Sequence, residues 1–196
     1  SVEFVKNLGV KAVKIASIDA NNFHFCDFVA SKRLPTIIST GMCTYDELKK
    51  TKKIFQKYNT PHMFLHCTSS YPSEEKDKNL LCIPELRKKL KTDIGFSGHG
   101  KGMAGTVGAV SLGATVIEKH STLNKLMAGP DHAASLEFDV LKDMIDLAKK
   151  VKISLGKPIK KLHPSEKILK SILSRKIVAR KKIIKGKKLN FKNIKP

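Results

Sequence analysis

Ile94-Gly95-Phe96-Ser97-Gly98-His99 and Ala114-Thr115-Val116-Ile117-Glu118-Lys119-His120 are the two stretches that decide how the chain folds. Each is a short run with β character that stops at a histidine, and a glycine-rich, helix-compatible stretch over 103–113 separates them. The pattern predicts strand, helix, strand, with an imidazole at the carboxyl end of each strand. Parallel α/β folds bind ligands and metals at those ends.

The same unit repeats upstream. Residues 2–8 read as the end of a helix closed by Gly9. Strands are predicted over 12–17, 36–41, 62–67, 94–97 and 115–119, with helices over 22–31, 44–58 and 84–90 between them. Thr44 and Glu47 have the spacing of a capping box. Ser135 is the expected cap of a last long helix over 137–155 that ends at Gly156. Short apolar strands alternating with helices predict βαβ units and a parallel sheet. Five units fit an open doubly wound sheet or part of a (β/α)8 barrel. No Gly-x-Gly-x-x-Gly follows the first strand, and a polar residue ends every strand, so the barrel is the preferred reading. Pro158 and Pro164 mark a linker with a short helix over 157–174, and a second module starts at 175 with strand-like runs over 176–180 and 182–184.

Charge is unevenly placed. Residues 1–148 hold 20 Lys and Arg against 16 Asp and Glu, whereas residues 149–196 hold 18 against Glu166 alone. Such a tail could bind nucleic acid, but its only aromatic residue is Phe191 and it matches no nucleic-acid motif. A lysine-rich solvated face on a small β module is the preferred reading, with neither nucleic acid nor membrane as partner. No apolar run is long enough to span a bilayer, and no secretory leader opens the chain. Cys26, Cys43, Cys67 and Cys82 form no Cys-x-x-Cys and read as reduced thiols, which with the missing leader makes a cytoplasmic location the expectation. The absence of an initiator Met suggests a piece of a longer chain.

Lys14 and Ser17 end the first strand, Ser39 and Thr40 the second, Ser69 and Ser70 the third, and Ser97 the fourth. One lysine with short hydroxyl donors at a barrel mouth makes an anion site. A single serine there is ordinarily a turn residue, and Lys14 could equally run to solvent. His99 and His120, from neighbouring strands, can converge on one metal ion and leave positions open for substrate, with Glu118 and Asp131 as nearby acids. Two imidazoles without a cysteine suit manganese, zinc or iron(II). Gly129-Pro130 shapes the loop that presents Asp131.

Six motifs in order then resemble the sialic acid synthases: Lys14-Ile15-Ala16-Ser17-x-Asp19-x-Asn21-Asn22-Phe23, Ser39-Thr40-Gly41-Met42, His66-Cys67-Thr68-Ser69-Ser70-Tyr71-Pro72, Gly95-Phe96-Ser97-Gly98-His99, Glu118-Lys119-His120-Ser121-Thr122-Leu123 and Gly129-Pro130-Asp131-His132-Ala133-Ala134-Ser135-Leu136. The basic tail resembles the opening of that family's antifreeze-like (SAF) domain. The resemblance implies a (β/α)8 TIM barrel of which strands four to eight lie in residues 1–156, a linker over 157–174, and the start of the antifreeze-like domain over 175–196. It implies condensation of phosphoenolpyruvate with an N-acetylated hexose of the N-acetylmannosamine type to a nine-carbon sialic acid and phosphate. Related syntheses of legionaminic or pseudaminic acid, and a non-catalytic basic binding fragment, are the alternatives. His66 and Asp131-His132-Ala133 lean toward the neuraminate type.

By position, the resemblance implies that Lys14, Ser17, Ser39, Ser69 and Ser97 bind phosphoenolpyruvate, that Asp19, Tyr71 and Asp131 bind the sugar, and that His99 and His120 hold the metal. Lys14, His99 and His120 are then the catalytic residues. Ser69 stands where some members carry asparagine, Gly98 where some carry aspartate, and Asp19 where some carry the longer glutamate. Manganese is the implied ion, with magnesium or cobalt as alternatives, and the implied intact assembly is a domain-swapped homodimer. The first three barrel strands, with an acid and a lysine–glutamine pair of the site, are implied to lie outside these residues, so the 196 residues by themselves are expected to be inactive.

Overall fold

Helix α1 (Val2–Asn7) ends at Gly9, whose φ of +76° is left-handed backbone that a glycine adopts without strain. From there strands and helices alternate in a computed structural model that describes residues 2–196. They run β1 (Val13–Ile15), α2 (Phe23–Ser31), β2 (Thr36–Ser39), α3 (Tyr45–Lys57), β3 (His62–Cys67), α4 (Cys82–Leu90), β4 (Ile94–Gly98), α5 (Ala104–Ser111), β5 (Ile117–Lys119) and α6 (Phe138–Leu155). Helix starts follow local chemistry. The Asn22 side chain accepts from Phe25 N, and Thr44 and Glu47 form the expected capping box, with Glu47 reaching back to Thr44 N at 2.7 Å. Ser135 does not cap α6: Glu137 occupies that position, and the Ser135 hydroxyl donates to Asp131 O at 2.7 Å.

All five strands are parallel, and their spatial order is their chain order, β1-β2-β3-β4-β5. A doubly wound sheet reverses direction at a switch point. Here every crossover advances the same way, as in a barrel. The register divides the residues cleanly between two faces. Lys14 pairs with Ile37, Ser39 with Leu65, Cys67 with Ser97, and Ser97 with Glu118, so these residues share one face. Their neighbours Ile15, Ile38, Phe64, Ile94 and Phe96 share the other and are buried with Cys26, Val29, Leu48, Phe55, Ile83, Leu90 and Ala109 from the helices. Each such side chain removed from water contributes about 1.5–3 kcal/mol, and this layer is the core. The inner face mixes apolar Ile37 and Leu65 with Lys14, Ser39, Cys67, Ser97 and Glu118.

Residues 1–156 and 157–196 form two separate compact units. In the second, α7 (Lys167–Leu173) precedes an antiparallel pair, β6 (Val178–Ala179) and β7 (Ile194–Lys195). Buried Asn193 pins the turn before β7 by accepting from Asn190 N and donating to Lys188 O. The run 182–184 is not a strand: it leads into a turn at Gly186, φ +89°, closed by Lys187 N to Ile184 O. Among the described residues no helix is long and apolar enough to cross a membrane.

Candidate functional site

The inner face meets itself at the carboxyl ends of the strands. Glu118, on β5, is directly opposite Ser97, on β4, in the register, and Ser97 Oγ donates to Glu118 Oε1 at 2.7 Å. Ser39, the last residue of β2, donates to the same oxygen at 3.4 Å. Lys14 Nζ, from β1, lies 3.5 Å from Glu118 Oε2 and donates to Ile15 O at 2.9 Å. Strands β1 and β5 are the two edges of the sheet. Laid flat, four inter-strand gaps would hold them about 19 Å apart. One lysine and one glutamate cannot bridge that, so their contact measures how strongly the sheet curls.

A second group of contacts surrounds Gly41, just past β2. Its N–H donates to Ser17 Oγ at 3.0 Å, and the Ser17 hydroxyl in turn faces Cys67 Sγ at 3.6 Å. Among the described residues Ser69 Oγ is buried without a hydrogen-bond partner. A Cβ on Gly41 would fall well inside contact distance of Ser69 Oγ and 2.9 Å from Ser17 Oγ, so only glycine lets these two hydroxyls come so near the β2 backbone. An orphaned buried hydroxyl costs about 1–3 kcal/mol. At the mouth of a lumen, a ligand oxygen would satisfy it.

The imidazoles stand beside this ring. His99 and His120 lie edge to face with centroids 5.2 Å apart, and the Tyr71 ring is 4.2 Å from His99 and 5.9 Å from His120. His99 Nδ1 is held by Thr68 O at 3.0 Å and faces Cys67 Sγ at 3.7 Å; His120 Nδ1 is 4.0 Å from Asp131 Oδ2. The His99 ring is therefore oriented through Nδ1 by a backbone oxygen, the arrangement that leaves Nε2 for a metal, while the Asp131 carboxylate lies near His120 Nδ1 without a hydrogen bond. These two residues suit an ion whose other positions come from substrate and water. Among the described residues no group of three or more His, Cys, Asp and Glu side chains forms a closed metal cage. Burial pushes the His99 imidazole down, but the Cys67 and Thr68 hydrogen bonds and the Cys67 and Glu118 charges outweigh it and leave its pKa raised. Burial lifts the Tyr71 phenol, helped by the charges of Cys67, Asp131 and Glu118.

Two loops carry the outer residues. The 68–79 loop, which brings Tyr71 in, is fastened by His66 Nε2 to Lys78 O at 2.8 Å, Thr68 Oγ1 to Asp77 O at 2.9 Å and Ser73 N to His99 O at 3.2 Å. His66, buried on the outer face, thus ties that loop to β3. The 121–136 loop starts and ends side by side, with Leu136 N bonded to His120 O and Thr122 N to Leu136 O, and it carries Asp131 back toward His120. Asp19 lies in the turn that begins at Ser17. Its carbonyl accepts from Asn22 N, and among the described residues its carboxylate makes no hydrogen bond. Gly41 and Cys67 are site residues with no role expected from the sequence; Glu118, expected as an acid beside the two histidines, instead engages Lys14, Ser39 and Ser97. An acid inside an apolar strand was the available signal for Glu118, and nothing local marked Cys67.

A parallel sheet wound in one direction, with a lysine, a glutamate and hydroxyls of four strands meeting at their carboxyl ends beside two imidazoles, defines a barrel-type α/β protein. Within that class the chain belongs to the NeuB family, whose model matches residues 1–160. It is 41% identical to the pseudaminic acid synthase of Campylobacter jejuni subsp. jejuni serotype O:2, over 99% of this chain and 57% of that protein. It is 41% identical to the N-acetylneuraminate-9-phosphate synthase of Homo sapiens, over 95% of this chain and 52% of that protein. Among solved structures it resembles the N-acetylneuraminic acid synthetase of Leptospira borgpetersenii serovar Hardjo-bovis, with a TM-score of 0.81 and 34% identity over 89% of this chain and 62% of that one. The curled sheet corresponds to half of such a barrel. The chain spans about half the length of the curated relatives it matches.

Proposed function

We propose that the protein carrying this chain is a nonulosonic acid synthase that condenses phosphoenolpyruvate with an N-acetylated hexose of the N-acetylmannosamine type, releasing phosphate. The observation that carries the reading is the juxtaposition, at one end of one sheet, of a lysine-and-hydroxyl ring with two paired imidazoles. Lys14, Ser17, Ser39, Ser69 and Ser97 bind the phosphate and carboxylate of phosphoenolpyruvate, turning a two-substrate encounter into a positioned one. Tyr71 and Asp131, on their anchored loops, take the sugar hydroxyls, and Asp19 joins them from the turn beside Ser17. His99 and His120 would hold a divalent ion, manganese first and magnesium or cobalt as alternatives. When bound, that ion supplies Lewis-acid polarisation of the sugar aldehyde oxygen. Carbon–carbon bond formation from C3 of the enol, addition of water at C2 and departure of phosphate complete the balance.

The five strands are read as the fourth to eighth of the barrel, and residues 175–196 as the start of an antifreeze-like domain that exchanges between two subunits of a homodimer. A pseudaminic or legionaminic acid product is the second reading. Its pseudaminic form is supported by the 41% identity to a pseudaminic acid synthase, a value equalled by a neuraminate-phosphate synthase. His66 and Asp131-His132-Ala133 are the residues that lean the reading toward the neuraminate type. The test is phosphate release by the full-length protein from phosphoenolpyruvate and manganese with N-acetylmannosamine, its 6-phosphate, and the pseudaminic and legionaminic precursors. Release with one sugar is the expected result; release with none overturns the synthase reading.

A further inference from the structure

Glu118 occupies the place where the proposed function needs an anion from outside. Its two oxygens engage Lys14, Ser39 and Ser97, three of the five members of the anion ring. The Glu118 side chain is 38% exposed and that of Lys14 33%, so among the described residues the pair is not locked in place by packing and a side-chain rotation can part it. On the anion-ring reading above, we infer that Glu118 is a specificity-determining residue. It is an internal carboxylate that fills the ring until a ligand bearing a phosphate group displaces it.

The selectivity follows from what each competitor brings. Glu118 offers one negative charge and two acceptor oxygens. A second anion cannot share one ammonium and two hydroxyls with it without like-charge repulsion, so binding means exchange. A phosphate brings nearly two charges and three acceptor oxygens. It can take over Lys14, Ser39 and Ser97 and also reach the unpartnered Ser69 hydroxyl, which Glu118 leaves unsatisfied. A monocarboxylate such as pyruvate replaces like with like and gains little. The internal anion therefore separates a phosphorylated enol acid from the dephosphorylated keto acid of the same three-carbon skeleton, chiefly by penalising the latter.

The test is calorimetric titration of the full-length protein with inorganic phosphate and with pyruvate, at constant ionic strength and with chelator present so that no metal takes part. Glu118→Gln keeps the size of the side chain and removes its charge. It should bind pyruvate about tenfold more tightly than the parent, narrowing the phosphate-to-pyruvate ratio, while Glu118→Asp, which keeps the charge, should preserve the parent's discrimination. Unchanged or weaker pyruvate binding by a folded Glu118→Gln overturns the inference. Should that variant not fold, a crystal structure of the parent with phosphate decides the matter. Glu118 withdrawn from Ser97 upholds the displacement, and Glu118 still bonded to Ser97 beside a bound phosphate refutes it. Lys14→Met separates the two layers of reasoning. If it abolishes phosphate binding while Glu118→Gln changes nothing, only the role of Glu118 falls. If neither parent nor variants bind phosphate, the anion ring falls with it.

Discussion

Gly41→Ala is the substitution whose consequence the structure specifies most closely. The backbone at Gly41 is not left-handed, so alanine meets no conformational penalty there; the whole effect comes from space. The added methyl would overlap Ser69 Oγ, stand 2.9 Å from Ser17 Oγ and 3.1 Å from Ser69 Cβ. Overpacking of this kind costs about 1–3 kcal/mol. Moving Ser17 also lengthens the 3.0 Å bond from Gly41 N, worth roughly 0.5–1.5 kcal/mol. Two hydroxyls of the proposed anion ring shift together. Each lost hydrogen bond to a charged ligand is worth about 1.5–3 kcal/mol, so KM for phosphoenolpyruvate should rise ten-fold or more while the KM for the sugar stays put. Urea unfolding and steady-state phosphate release measure both halves of the effect. Gly41→Ala combined with Ser69→Gly removes the worst overlap and should recover part of the stability without recovering the affinity, because the Ser69 hydroxyl is gone. A Gly41→Ala protein with parental stability and parental KM would refute the geometry on which the ring is built.

Three further outcomes are expected. His99→Ala or His120→Ala in the full-length protein should abolish manganese-dependent turnover with little change in Tm; full activity of His120→Ala in metal-free buffer would remove the metal role. Asp131→Asn should lower kcat/KM for the sugar by tens-fold, with phosphoenolpyruvate little affected, since a charged hydrogen bond of about 1.5–3 kcal/mol is lost on the sugar side; the reverse pattern would exchange the two subsites. Thr44→Ala should cost about 0.5–2 kcal/mol through the lost cap. It should also raise the Glu47 carboxyl, now held at about 2 by hydrogen bonds from Thr44 N, Asn21 and the Thr44 hydroxyl, toward its ordinary 4.5. The folded pKa is the depressed one, so the carboxylate's contribution is full above about 4.5 and disappears as pH falls toward 2. Carboxyl NMR titration of the two proteins reads the difference, and an unmoved Glu47 would refute the capping box.

Much of the first unit was legible because its causes are local. Apolar periodicity placed five strands and the helices between them within a few residues, and Thr44 with Glu47 announced the start of α3. A histidine after each of two runs was enough to put His99 and His120 at the same end of neighbouring strands. Where the sequence misled, a nearby polar group had a better local partner. Ser135 bonds the Asp131 carbonyl instead of capping α6, and the 182–184 run enters the Gly186 turn. What only the tertiary structure decided is which face each strand residue takes and which strands meet. Side chains alternate along a strand, so register alone sends Ser39, Ser97 and Glu118 inward and Ile38, Phe96 and Lys119 outward. Curvature then brings the two sheet edges close enough for Lys14 to meet Glu118, a contact between residues whose sequence neighbourhoods carry no sign of each other. Local sequence determines elements through short-range hydrogen bonding and periodic burial. The convergence of side chains from four strands depends on the twist and closure of the whole sheet, a property no single segment possesses.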